Sequence, residues 1–157
     1  MSLSLPLEGG CRCGAVRFRA AAPPMLTMAC HCTGCQRMTA SAYSLSAAFP
    51  SEAFAVIAGE PVPGGLKRAD IHHFFCPSCL SWLFTQLEGV DSFVNVRAPL
   101  FDDTSWFSPF IETWTAEKLP FASVPAVHSF AALPAMADYE GLVRAYGEWA
   151  GAASSPG

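Results

Sequence analysis

The seven cysteines of this 157-residue chain fall into three tight groups: "CRC" at Cys11 and Cys13, "CHCTGC" at Cys30, Cys32 and Cys35, and "CPSC" at Cys76 and Cys79. Thiols so spaced make disulfides, do redox chemistry or hold a metal. Seven is odd, and a reducing cytosol disfavours a disulfide framework, so metal or thiol chemistry is the better expectation. Structural zinc takes four ligands in a closed tetrahedron, whereas catalytic zinc keeps three protein ligands and an open position. Groups of two, three and two divide into four plus three in one way without being split. Cys11, Cys13, Cys76 and Cys79 then surround one ion, and Cys30, Cys32 and Cys35 surround a second whose fourth position is open.

Two other readings fit the same residues. A histidine can complete a four-ligand structural site with Cys30, Cys32 and Cys35, and the chain offers His31, His72, His73 and His128. Alternatively, three neighbouring thiols of low pKa suit a redox set. A zinc-stabilised binding module without chemistry and a thiol oxidoreductase therefore stand beside the catalytic reading.

The elements that must position these groups are mostly strands. "AVRFRA" alternates Val16, Phe18 and Ala20 with Arg17 and Arg19, the period of a half-buried strand. Residues two apart on a strand share a face, which would bring Cys11 and Cys13 to one ion. "DSFVNVRAPL" and "PFIETWTA" read as strands from their β-branched and aromatic content, and paired prolines and glycines punctuate the runs as turns. Cys76 and Cys79 bracket Pro77 and Ser78 with the spacing of a tight metal-binding turn. One segment differs. In "ADYEGLVRAYGEWAG", Tyr139, Leu142, Val143, Tyr146, Trp149 and Ala150 recur every three or four residues, predicting an amphipathic helix with Asp138 as N-cap. The expected organisation is a single domain over residues 1–150 and a loose tail over 151–157.

Composition limits the function. Hydrophobic residues make up 52% and charged residues 14%, which argues for a folded core. With nine Lys plus Arg and a net charge of −4, the chain lacks the basic footprint of a nucleic-acid binder. No secretory signal pattern and no eighteen-residue apolar run is present, so a cytoplasmic protein with no membrane partner is expected.

"GGCRCGAVRF", "CHCTGCQRMTASA" and "FFCPSCLSWLF", in that order, resemble the glutathione-dependent formaldehyde-activating enzyme family, to which the centromere protein V domain also belongs. The similarity runs from about Glu8 to about Phe121. It implies a mainly β fold, a β-tent of small antiparallel sheets tied by a structural zinc at Cys11, Cys13, Cys76 and Cys79, followed here by the short C-terminal helix. It further implies a catalytic zinc at Cys30, Cys32 and Cys35, and carbon–sulfur lyase activity that adds glutathione reversibly to formaldehyde or a related small aldehyde. Zinc suits both halves of that reaction, favouring thiolate over thiol and polarising a carbonyl oxygen. Leu80 and Ala40 stand where the family often has glycine; neither change removes a ligand, but both bear on turn geometry.

Other residues have candidate roles beside the cysteines. Arg37, directly after the middle group, is the expected receiver of a glutathione carboxylate, and Arg97 is a second candidate. His31 either shuttles a proton beside the metal or points away from it. "HHFF" and "SWLF" read as core, and "FDD" at 101–103 as a turn.

Overall fold

The computed structural model describes residues 3–66 and 68–153. Short β-branched and aromatic runs, cut by proline and glycine, give eleven strands among the described residues. Three of them, β1 (Leu7–Gly10), β2 (Arg17–Ala20) and β5 (Phe54–Ala58), form an antiparallel sheet in the order β1-β2-β5. The larger sheet contains β3 (Leu26–Cys30), β4 (Ser44–Pro50), β6 (Val62–Gly64), β7 (Ile71–Phe75), β8 (Trp82–Leu87), β9 (Val90–Arg97), β10 (Ile111–Thr113) and β11 (His128–Ser129). Its order is β11-β10-β3-β4-β9-β8-β7-β6. The fold is mainly β, as expected. The larger sheet is not wholly antiparallel, because β10 pairs in parallel with both β3 and β11.

The alternation of "AVRFRA" is realised: Phe18 and Ala20 are fully buried while Arg19 is exposed and pairs with Glu8 at 2.6 Å. Phe18 meets Phe54 and Phe101, and the cluster continues through Phe49, Leu83, Phe84, Val94 and Val96, joining the two sheets. Truncating such a buried aromatic typically costs about 3–5 kcal/mol. Gly9 of β1 lies against the backbone of Leu100 and Phe101, where an added Cβ would overlap both. Glycine there lets β1 approach the 98–101 turn closely.

The predicted helix is present as α2 (Tyr139–Ala153). Its Tyr146, Leu142, Trp149 and Ala150 pack on Leu26, Phe110 and Ile111, forming a second core on the outer face of β3 and β10. A 3₁₀ turn at Met136–Asp138 leads directly into it, so the chain at Asp138 is already helical rather than in the extended N-cap form. Of the expected tail over 151–157, residues 151–153 belong to the helix, and 154–157 lie outside the described residues.

Periodicity gave no sign of a second, shorter helix, α1 (Thr33–Thr39). Seven residues are too few for a hydrophobic stripe to appear, and none of its side chains is fully buried. It forms because Cys32 caps it, the Cys32 Sγ accepting from Cys35 N at 3.3 Å. At its other end Ala40 takes a left-handed conformation, φ 50°.

Candidate functional site

Two turns carry the first cysteine set. Cys11 and Cys13 do not sit on a strand; they occupy the β1–β2 connection, where Gly14 N donates to Cys11 O and Cys11 N to Val16 O, both at 3.0 Å. A tight turn, not strand alternation, therefore aims both sulfurs one way. In the β7–β8 connection Leu80 N donates to Cys76 O and Cys76 N to Ser81 O, again both at 3.0 Å. Pairing of the two connections places Cys13 Sγ 3.8 Å from Cys76 Sγ and 3.5 Å from Cys11 Sγ, and the sulfurs of Cys11, Cys13, Cys76 and Cys79 all lie within 4.8 Å of one another. Four sulfurs at about 2.3 Å from a tetrahedral zinc stand about 3.8 Å apart. The donor set fits that ion.

Backbone N–H groups reach two of these sulfurs. Val16 N donates to Cys11 Sγ at 3.2 Å and Ser78 N to Cys76 Sγ at 3.4 Å. Cys79 falls to about 5, held down first by the Ser81 hydroxyl and then by the Ser81 backbone. Cys13 rises to about 11: the Ala15 backbone lowers it, but the thiols of Cys11 and Cys79 outweigh that.

The second set occupies the end of β3 and the start of α1. Cys30, Cys32 and Cys35 have their sulfurs within 4.8 Å of one another, each half-buried. Hydrogen bonds from Cys30 and then Cys35 hold Cys32 far below the ordinary thiol range. The bond to Cys32 raises Cys30, and bonds with Cys30 and Cys32 raise Cys35. All seven cysteines are free of disulfides and all belong to one set or the other.

Among the described residues no histidine joins either set. His31, flanked by two of the cysteines, is fully buried and turned toward β10, where Nε2 lies 2.8 Å from Glu112 Oε2. Lys118 Nζ meets the same oxygen at 2.9 Å, and Ser129 Oγ donates to Glu112 Oε1 at 2.7 Å. Burial raises the Glu112 carboxyl, but Ser129, Lys118 and His31 together outweigh it and hold the group below the ordinary glutamate range. His72 meets Glu88 at 2.8 Å, His73 meets Thr85 at 2.9 Å, and His128 packs edge-on against Phe110. A lone glutamate in "IETWTA" gives no sign in the sequence that His31, Lys118 and Ser129 converge on it.

The cysteine loop is clamped to the end of β10 and the segment after it. His31 N donates to Thr113 O at 3.0 Å, Thr33 N to Glu117 Oε2 at 2.5 Å, and Gln36 Nε2 to His31 O at 2.7 Å and Glu117 O at 3.0 Å.

Between the two cysteine sets lies a cleft of about 390 Å³ whose walls include Met38, Tyr43, Ser44, Trp82, Arg97 and Leu100. Small-molecule sites usually measure roughly 300–1,000 Å³. Ser44 pairs with Cys30 across β3 and β4, so the cleft borders the three-cysteine set. On the far side Ser81, also in its wall, meets Cys79 Sγ at 3.2 Å. Arg97 is buried in the cleft, whereas Arg37 is exposed in the last turn of α1 and does not line it. "HHFF" and "SWLF" are divided. Phe74, Leu83 and Phe84 belong to the core, but Trp82 faces the cleft, with the Arg97 Cζ 4.0 Å from its ring centroid. "FDD" is only partly the expected turn: Phe101 is buried and bridges to Gly9, Asp102 N donates to Glu8 O at 2.9 Å, and the turn starts at Asp103, whose Oδ1 accepts from Ser105 N at 2.8 Å.

Fold and site together define a small, mainly β protein with two all-cysteine donor sets suited to metal ions. A family model described as glutathione-dependent formaldehyde-activating enzyme matches residues 6–117, and the chain belongs to that family. A crystal structure of a Rhodobacter sphaeroides protein is similar in fold, with a TM-score of 0.50 and 19% identity, over 60% of this chain and 87% of that one. No curated protein matches the chain with significance. Among the described residues no helix is long and apolar enough to cross a membrane.

Proposed function

We propose that the protein is a zinc-dependent carbon–sulfur lyase of the formaldehyde-activating type, working in the cytoplasm on glutathione, or a similar small thiol, and a small aldehyde. The observation that carries this reading is the cleft bordering an open set of three sulfurs in a member of that family. Cys11, Cys13, Cys76 and Cys79 would hold a structural ion that ties the sheets into a β-tent, and Cys30, Cys32 and Cys35 a second ion at the cleft. Zinc at the second set would supply preference for thiolate over thiol and a Lewis acid for the carbonyl oxygen.

The chemistry balances without an oxidant. A carbon–sulfur bond forms between the thiol sulfur and the carbonyl carbon, the carbon–oxygen π bond breaks, and the thiol proton ends on the new hydroxyl. The chain's part is to orient and to exclude water. The clamp on α1 through Gln36 and Glu117 fixes the three sulfurs, the Ser44 hydroxyl offers a polar contact beside them, and Leu45, Pro99 and Leu100 give the cleft an apolar wall. Membership of all seven cysteines in two metal-suited sets favours this over a thiol oxidoreductase, which needs an uncommitted resolving partner.

Calorimetry of glutathione binding in buffers of different ionisation enthalpy tests the reading. A thiol bound as thiolate releases a proton, and S-methylglutathione, which has none to release, binds far more weakly. Equal affinity for the two compounds, or no binding of either at millimolar concentration, overturns it.

A further inference from the structure

The cleft holds a buried cation with no carboxylate opposite it. Arg97 is 7% exposed, yet among the described residues it makes no ion pair and no acidic side chain lines the cleft. Its Nη1 donates to Ser44 Oγ at 3.4 Å and its Nη2 to Asn95 O at 3.3 Å, both at the long, weak end of hydrogen bonding. The Nε has no acceptor, and neither does the indole Nε1 of Trp82, the ring against which the guanidinium stacks. Arginine carries five donors in a planar fork, and buried charges are ordinarily paired because leaving them unpaired is costly. Two under-used donor groups side by side form a receptor shaped for a planar, two-oxygen anion.

The position of this receptor gives it a use. Ser44, which accepts from Arg97, pairs in register with Cys30, so one residue separates the guanidinium from the open set of sulfurs. Part of the cleft wall is apolar, formed by Met38, Leu45, Pro99 and Leu100.

We propose that Arg97 and Trp82 form the acid-recognition site of the cleft, receiving the carboxylate of a thiol whose sulfur reaches Cys30, Cys32 and Cys35 and whose short aliphatic chain lies along the apolar wall. This rests on reading the three-cysteine set as the thiol site. Arg97 remains cationic at neutral pH: burial pulls it down to about 10, and the nearby sulfurs of Cys35 and Cys30 oppose that fall.

The test compares 3-mercaptopropionate with 3-mercaptopropan-1-ol, which differ only in the acid, by calorimetry on the zinc-replete protein. The carboxylate compound binds at least about tenfold more tightly, as a charge-assisted hydrogen bond requires. Arg97→Met abolishes the difference and Arg97→Lys retains part of it. The wild-type comparison stands even if a variant fails to fold. A third probe, 3-phenylpropionate, has the acid without the thiol and perturbs tryptophan fluorescence in wild type but not in Arg97→Met. Equal binding of the mercapto acid and alcohol overturns the acid site while leaving the thiol reading intact, and identifies Arg97 as a counter-charge for the thiolates alone. An acid preference that survives Arg97→Met overturns it too. Should neither thiol bind while 3-phenylpropionate binds through Arg97, the acid site stands and the thiol reading falls; if no probe binds, both fall.

Discussion

Leu80 occupies, directly after Cys79, the same left-handed backbone region that Gly14 occupies directly after Cys13, with φ 58° against 80°. Both cysteine turns that meet in the four-sulfur set thus need a residue of positive φ at the same point, and one of them carries a side chain there. Left-handed backbone costs a non-glycine residue about 1–2 kcal/mol, and the Leu80 side chain, 69% exposed, recovers little by packing. Leu80→Gly should raise the stability of the zinc-replete protein by about 0.5–1 kcal/mol after the entropy of glycine in the unfolded chain is subtracted. Gly14→Ala, in open space, should lower it by about 1 kcal/mol. Urea denaturation measures both; an unchanged or lower midpoint for Leu80→Gly refutes the strain account.

Four thiolates in a closed shell hold zinc harder than three with an exchangeable position. The purified protein should bind two zinc ions and release them in two steps as chelator strength increases. Elemental analysis after graded chelation reads this directly, and simultaneous loss of both ions would contradict it.

Replacing a cysteine in each set should have different consequences. Cys76→Ser removes a ligand from the set that joins two connections 63 residues apart at Cys13 and Cys76, and should leave an unfolded or aggregated chain, since structural zinc contributes folding free energy directly. Cys32→Ser should give a folded protein retaining one ion. Circular dichroism with metal analysis separates the cases, and equal collapse of both variants would mean the roles are misassigned.

Glu112→Gln leaves Lys118 without its anion and should cost about 2 kcal/mol at neutral pH. Because the folded carboxyl titrates below its unfolded value of about 4.3, the wild-type advantage is complete above that pH and fades as the pH falls through the folded value. Denaturation of both proteins across the acid range should show the gap closing only there; a gap constant with pH would show that charge plays no part in it.

The division of the cysteines, the mainly β character and the C-terminal helix were legible in the sequence, because each depends on residues close in the chain. Spacing within "CRC", "CHCTGC" and "CPSC" limits which sulfurs can share an ion, and a fifteen-residue helix has turns enough to display its apolar stripe. Whatever depends on pairing between distant strands was not legible. Placing Arg97 rather than Arg37 in the cleft required β9 to lie beside β4, with Arg97 opposite Ser46, two residues along β4 from Ser44. The direction taken by His31 depended on β10 running parallel to β3, which brings Glu112 opposite Ala29 and its carboxylate to the imidazole. Trp82, in a run that reads as core, faces the cleft because of its place at the start of β8, where the register with β7 shifts. Local chemistry is fixed by short spacing along one chain, but the charge beside a site is set by which strand becomes its neighbour, and only the folded sheet decides that.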